Sequence, residues 1–74
     1  MDKTTIGINA GIVWHLLDNN NRKWEYSELR EASGLSDRDL NAAIGWLARE
    51  NKIEFCHDDE TDTDSFFITM NIYI

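Results

Sequence analysis

Over residues 5–20 the apolar side chains Ile6, Ala10, Val13 and Leu17 recur at i, i+4, i+7 and i+11. At about 100° per residue this spacing lines them along one face of a helix. Thr4 or Thr5 offers an N-cap, and the run Asp18-Asn19-Asn20-Asn21, rich in turn formers, ends the helix. Lys23-Trp24-Glu25-Tyr26 then alternates polar and aromatic residues in the manner of a very short strand. Ser27 can cap a second helix over residues 28–33, with Glu28 in its first turn and Gly34 as its stop. Ser36 caps a third, which carries an inward stripe of Leu40, Ala43, Ile44 and Leu47 and ends near Glu50, where Asn51 tolerates a left-handed cap. Residues 53–56 read as a strand and residues 66–74 as another, the latter placing Phe66, Ile68, Met70, Ile72 and Ile74 on one face. The polar stretch between them, residues 57–65, has no Gly or Pro to fix a tight turn and is expected to be a mobile loop.

A helix, a short strand, two helices joined by a tight Gly-containing turn and a terminal hairpin follow the order of a winged helix-turn-helix. The expected fold is therefore α+β, with three helices and a small antiparallel sheet ending in a β-hairpin wing. The whole chain, 1–74, is read as one domain.

Tyr26-Ser27-Glu28-Leu29, the turn Ser33-Gly34-Leu35-Ser36 and the run from Ala43 to Ile53 resemble a small stand-alone winged helix-turn-helix family of unknown function in bacteria and archaea. The most specific part is Gly-Trp-Leu-Ala-Arg-Glu-x-Lys-Ile, Gly45 to Ile53, and the likeness covers nearly the whole chain. It implies the fold and points to self-association, and it supplies no catalytic residues.

Composition narrows the function. A 42% apolar content separates the chain from disordered acidic segments despite a formal charge of −7. No apolar run reaches the roughly 18 to 20 residues that span a bilayer, and no secretory leader is evident, so a soluble cytoplasmic protein is expected. A domain this short buries little surface, and its single cysteine, Cys56, cannot close an internal bridge. Stability is expected to draw on a metal or a partner.

Helix three would present Arg38, Asn41 and Arg49 to a DNA major groove, where Arg matches guanine and Asn adenine. Charge opposes this. Seven basic residues are scattered among fourteen acids, and the expected wing carries Asp58, Asp59, Glu60, Asp62 and Asp64 where phosphates would lie. The alternative for Arg38 and Arg49 is a solvated face paired locally with Asp37, Asp39 or Glu50.

Helix one has a second apolar set, Ile8, Ile12 and Leu16, about 120° from its core stripe. Gly7 and Gly11 on its flank would let another backbone approach. Beyond the reach of residues 53–56, the end of the last strand would overhang as an apolar edge. A homodimer is expected, with Ile8, Ile12, Ile72, Tyr73 and Ile74 as contacts. The competing arrangement packs these residues on one another within one chain. Trp24, Tyr26 and Trp46 are expected in the core, with Trp46 closing the border between helix three and the hairpin.

Other chemistry does not assemble. The alternating acids from Asp58 to Asp64 resemble a calcium loop, but Thr63 stands where its Gly belongs and Thr69 where its Glu belongs. Cys56 and His57 are adjacent in a strand and so point to opposite faces, while His15 is expected to lie exposed on helix one. No phosphate cradle or nucleophile elbow is present. No enzymatic activity, cofactor, metal or small-molecule substrate is expected. A DNA-binding regulator working through residues 36–50 is the alternative to a protein-interaction module.

Overall fold

The computed structural model describes residues 1–69. Its elements are α1 (Lys3–Asn19), β1 (Trp24–Glu25), α2 (Tyr26–Ser33), α3 (Asp37–Arg49), β2 (Ile53–Asp58) and β3 (Thr63–Ile68). The three strands form one antiparallel sheet in the order β1-β3-β2. This is the winged helix fold, with β2 and β3 as the wing.

The inward stripes form as their periodicity predicts. Ala10, Val13 and Leu17 of α1 meet Leu40, Ala43, Ile44 and Leu47 of α3 in one buried cluster, which Leu29, Trp24, Ile53 and Phe66 complete. Ile6 is only half-buried. Trp24 is accommodated because its indole N–H donates to the Asn20 carbonyl at 3.2 Å, so burying the ring strands no donor. Tyr26 and Ile68 pack at the rim of this cluster.

Both early helices begin sooner than expected. The Asp2 carboxylate, not Thr4 or Thr5, caps α1 by accepting the Thr5 N–H at 2.8 Å. At α2 the cap is Glu25 rather than Ser27, and the Glu28 carboxylate reaches back to accept the Glu25 N–H at 2.9 Å. A carboxylate at a helix N-terminus combines a hydrogen bond with a favourable dipole interaction, which a hydroxyl lacks. The backbone N–H bonds hold both carboxyls below the usual carboxylate range, helped at Glu28 by Arg22. The later caps are as expected: Gly34 is left-handed at φ 70°, the Ser36 hydroxyl accepts the Asp39 N–H, and Asn51 closes α3 at φ 58°.

The wing departs further from expectation. The strands run on into the acidic stretch, so the connection shrinks from residues 57–65 to residues 59–62, and β3 begins at Thr63 rather than Phe66. β2 and β3 match residue for residue, from Ile53 opposite Ile68 to Asp58 opposite Thr63. Asp62 takes the left-handed backbone, φ 53°, that a glycine would otherwise supply, and Asp is among the few side chains that tolerate it. The Asp58 carboxylate accepts the Glu60 N–H across the turn. The expected overhang of residues 70–74 lies outside the described residues.

Two outcomes follow. Glu28 and Asp2 have depressed folded-state pKa values, so their contribution is present above about pH 4, the unfolded value. It disappears as pH falls through the folded values. Melting temperature, followed by circular dichroism, should decline below about pH 4.5, and Glu28→Gln should flatten part of that decline. Separately, Gly34→Ala should cost about 1 kcal/mol in urea unfolding, because alanine resists the left-handed backbone.

Candidate functional site

The helix-turn-helix is tied at its turn by one carboxylate. Asp37, the first residue of α3, accepts the Tyr26 hydroxyl at 2.8 Å and pairs with Arg30 Nε at 2.9 Å, joining both ends of α2 to the start of α3. Partial burial and the adjacent Asp37 raise the Tyr26 phenol above its ordinary pKa.

This pairing alters the electrostatics of α3. Arg38, Asn41, Gly45 and Arg49 are all exposed, and helical geometry places them within about 80° of one another, opposite the buried stripe. Space is open where a Gly45 side chain would stand. Asp37 and Asp39 flank the stripe rather than entering it, each about 100° from Arg38. The expected pairing of Arg38 and Arg49 with Asp37, Asp39 or Glu50 is not found. Among the described residues neither arginine has an ion-pair partner, and Asp37 is held by Arg30 instead.

Arg22 and Lys23 are engaged elsewhere. Arg22 pairs with Glu28 at 3.2 Å and stacks over Trp24. Lys23 donates to Cys56 Sγ at 3.5 Å and lies over the Phe67 ring, on the sheet face opposite the one that buries Ile53 and Phe66. Cys56 and His57 thus diverge as strand geometry requires. His57 sits within 3.6 Å of Asp59, Asp62 and Asp64 at the wing tip. Among the described residues no three His, Cys, Asp or Glu side chains are disposed to hold a metal ion. A cleft of about 320 Å³ between the start of α2 and the wing turn is lined by Glu25, Tyr26, Ser27, Asp62, Thr63 and Asp64, which makes it acidic.

The outward face of α1 is different in kind. Ile8 is 62% exposed and Ile12 40%, with exposed His15 beside them. Leu16, expected with them, is half-buried against the core. The flanking glycines separate: the Trp46 indole lies 3.7 Å from where a Gly7 side chain would begin, while nothing lies within 4 Å of that position at Gly11. Trp46 therefore lies against α1, and at 39% exposure it is a border residue rather than core. Sequence reasoning missed the Trp46–Gly7 contact, although a glycine on the face turned toward α3 was its signal. Ile72, Tyr73 and Ile74 lie outside the described residues, so the structure brings together only Ile8 and Ile12 of the expected contacts.

The family model for the winged helix-turn-helix domain (DUF2582) matches residues 1–67. The chain belongs to this family. The DUF2582 chain is 38% identical over 56 residues to the uncharacterized protein MJ1608 of Methanocaldococcus jannaschii, a match covering 74% of this chain and 80% of that protein. It is similar to the solution structure of BT2368 from Bacteroides thetaiotaomicron, with a TM-score of 0.78 and 35% identity, over 92% of this chain and 79% of the other. A structure from work on the DNA recognition and protein interaction domains of HOP2 aligns at TM-score 0.69 and 22% identity, over 82% of this chain and 98% of that one. The last likeness is one of fold. No helix among the described residues is long and apolar enough to cross a membrane.

Because Arg38 and Arg49 are exposed and unpaired among the described residues, replacing both with alanine should leave unfolding free energy within about 0.5 kcal/mol of the parent. A larger loss in urea denaturation would reveal a structural role for one of them.

Proposed function

We propose that this DUF2582 domain is a non-enzymatic interaction module that forms a homodimer through the outward face of α1. The observation that carries the reading is the exposure of Ile8 and Ile12 on a helix whose central residues, 4–17, include no Asp, Glu, Lys or Arg. In a chain of net charge −7 this neutral apolar face is where a second, equally acidic copy meets least repulsion. Burying an isoleucine contributes at most about 3 kcal/mol, so four per dimer contribute at most about 12 kcal/mol. Association costs about 4 to 15 kcal/mol. Contact through α1 alone gives a weak dimer, and we assign the additional apolar contact to Ile72, Tyr73 and Ile74. The thiol of Cys56 fits a reducing compartment, and we place the module in the cytoplasm.

A second reading is favoured by one specific observation. The stripe of Arg38, Asn41, Gly45 and Arg49 has no acid within it, and its side chains suit base edges in a major groove. HOP2, which shares the fold, is described as having a DNA recognition domain. Against this stand the five acids of the wing, which would face phosphates.

Light scattering across concentration, with and without a mixed-sequence DNA duplex, separates the two readings. The dimer reading expects a mass that rises toward two copies and is indifferent to duplex. It also expects association to strengthen with salt, as repulsion between the copies is screened. Ile8→Asp should return the monomer without loss of fold. A strictly monomeric mass overturns the reading. A duplex-dependent shift that fades as salt rises and vanishes in the Arg38→Ala, Arg49→Ala variant establishes the second reading instead.

A further inference from the structure

The strand order β1-β3-β2 leaves β2 at one edge of the sheet, and an edge strand is a template for pairing with another chain. A single hydrogen bond fixes which backbone groups of β2 face that edge. The Thr69 N–H donates to the Lys52 carbonyl at 3.0 Å, and these residues stand opposite one another, one step beyond the pair Ile53 and Ile68. Antiparallel pairs alternate between those that exchange hydrogen bonds and those that do not. Lys52, Glu54, Cys56 and Asp58 therefore direct their N–H and C=O groups toward β3. Phe55 and His57 direct theirs away from it, to the open edge. Among the described residues no turn or loop hydrogen bond engages these groups.

The side chains along the edge divide by face. On the core side Phe55 is 54% exposed, its ring edge-on to Phe66 with centroids 5.2 Å apart, so part of an aromatic surface is left to solvent. On the other side stand Glu54, Cys56 and Asp58. The Glu54 carboxylate accepts the Thr69 hydroxyl, and that of Asp58 accepts the Glu60 N–H. Among the described residues neither carboxylate meets a cation. Lys23 is held between Cys56 and the Phe67 ring. A strand added at this edge would face Glu54 and Asp58 in non-hydrogen-bonded pairs, where opposing side chains lie closest.

We infer that the open edge of β2 takes up an extended, basic segment of a partner protein as a fourth strand of the sheet. Antiparallel addition lets Phe55 and His57 each exchange both of their backbone bonds with one facing residue. The segment then carries apolar residues opposite Phe55 and His57, on the core-side face. It carries lysine or arginine opposite Glu54 and Asp58, and an uncharged residue opposite Cys56, where Lys23 stands. Charge selects this occupant. A second copy brings a net charge of −7 and the same acids, and a nucleic acid brings phosphates. The acids of β2 and of the wing turn, Asp59, Glu60 and Asp62, repel both and attract a cationic segment. The contact is separate from the α1 face and does not depend on it.

The test follows backbone amides of the ¹⁵N-labelled full chain by NMR. In the free protein the Phe55 and His57 amides should exchange with solvent about ten-fold faster than those of Glu54 and Cys56. The probe is acetyl-Lys-Val-Thr-Ile-Lys-amide at millimolar concentration. It should shift the Phe55 and His57 resonances saturably and slow their exchange several-fold, and Ile8→Asp should bind it as the parent does. Replacing its lysines with glutamate should weaken binding several-fold, and so should raising the salt. N-methylation of its isoleucine, which removes the donor to the Phe55 carbonyl, should do the same. The double variant Glu54→Gln, Asp58→Asn should bind several-fold more weakly, with an unchanged thermal melt by circular dichroism.

Protection of the Phe55 and His57 amides in the free chain at every concentration overturns the proposal, because the edge is then closed. Protection that appears only as the chain is concentrated makes the occupant a second copy and overturns it likewise. A peptide that leaves these two amides unmoved, or that binds as well with glutamates as with lysines, also overturns it.

Discussion

α1 and α3 pack through small residues where they meet, Ala10 at 2% exposure and Ala43 at none, with Val13, Leu17, Leu40 and Leu47 filling the space around them. Small side chains let two helix backbones approach closely, and the larger neighbours then interdigitate without voids. Every other placement depends on this contact. It sets which side of α3 faces solvent, brings Trp46 over Gly7, and among the described residues leaves Ile8 and Ile12 of α1 exposed. α2 contributes one fully buried side chain, Leu29, and the sheet closes the remaining opening with Ile53 and Phe66. A core of this size consumes one stripe of each helix, so of the second apolar set of α1 only Leu16 reaches it, and Ile8 and Ile12 stay exposed.

The polar frame around that core accounts for the character of α3. Segment charge over residues 36–51 comes to −1, from two arginines against Asp37, Asp39 and Glu50, and on that count the helix repels a polyanion. The fold redistributes those charges. Asp37 is turned toward α2 by Tyr26 and Arg30, and Asp39 and Glu50 fall off the outward stripe. The face that a groove would meet is therefore more basic than the segment containing it. The wing moves in the other direction: longer strands concentrate its carboxylates in the four-residue connection 59–62 and the strand ends beside it, with His57 in their midst.

What could be read in the sequence divides along physical lines. Buried stripes were legible because burial imposes a period, and Leu40, Ala43, Ile44 and Leu47 are all buried as that period requires. Gly34 and Asn51 were legible because left-handed backbone restricts the choice of residue. The first two caps were misplaced because Asp2 competes with Thr4 and Thr5, and Glu25 with Ser27. The winner is set by a three-dimensional geometry that single residues do not encode. The wing was underestimated because its distal part projects beyond the core. There Cys56 faces Lys23, and Phe55, on the core side, remains 54% exposed. Without burial on one face the two-residue alternation weakens, and only the pairing itself reveals the strand. Of the candidate sites, the exposure of Ile8 and Ile12 and the outward direction of Arg38, Asn41 and Arg49 follow from helix periodicity alone. The capture of Asp37 does not, since it depends on a residue eleven positions earlier in the chain, Tyr26.

The fold thus separates three surfaces that composition averages together: a neutral apolar face on α1, a narrow basic stripe on α3 and an acidic wing. This separation makes the two functional readings compete rather than combine. Pairing through α1 leaves both α3 stripes free and doubles the arginines available to a duplex. It also doubles a net charge of −7 per copy, and the wings travel with the helices. Repulsion of the added acids and attraction of the two added arginines are screened alike beyond a Debye length, about 10 Å at 0.1 M salt. The balance therefore depends on which charges lie nearest the duplex, and the acidic wing lies beside α3 in each copy. In the proposed dimer the neutral face of α1 would carry the contact between copies, and the doubled acidity would oppose a polyanion that the two α3 stripes attract.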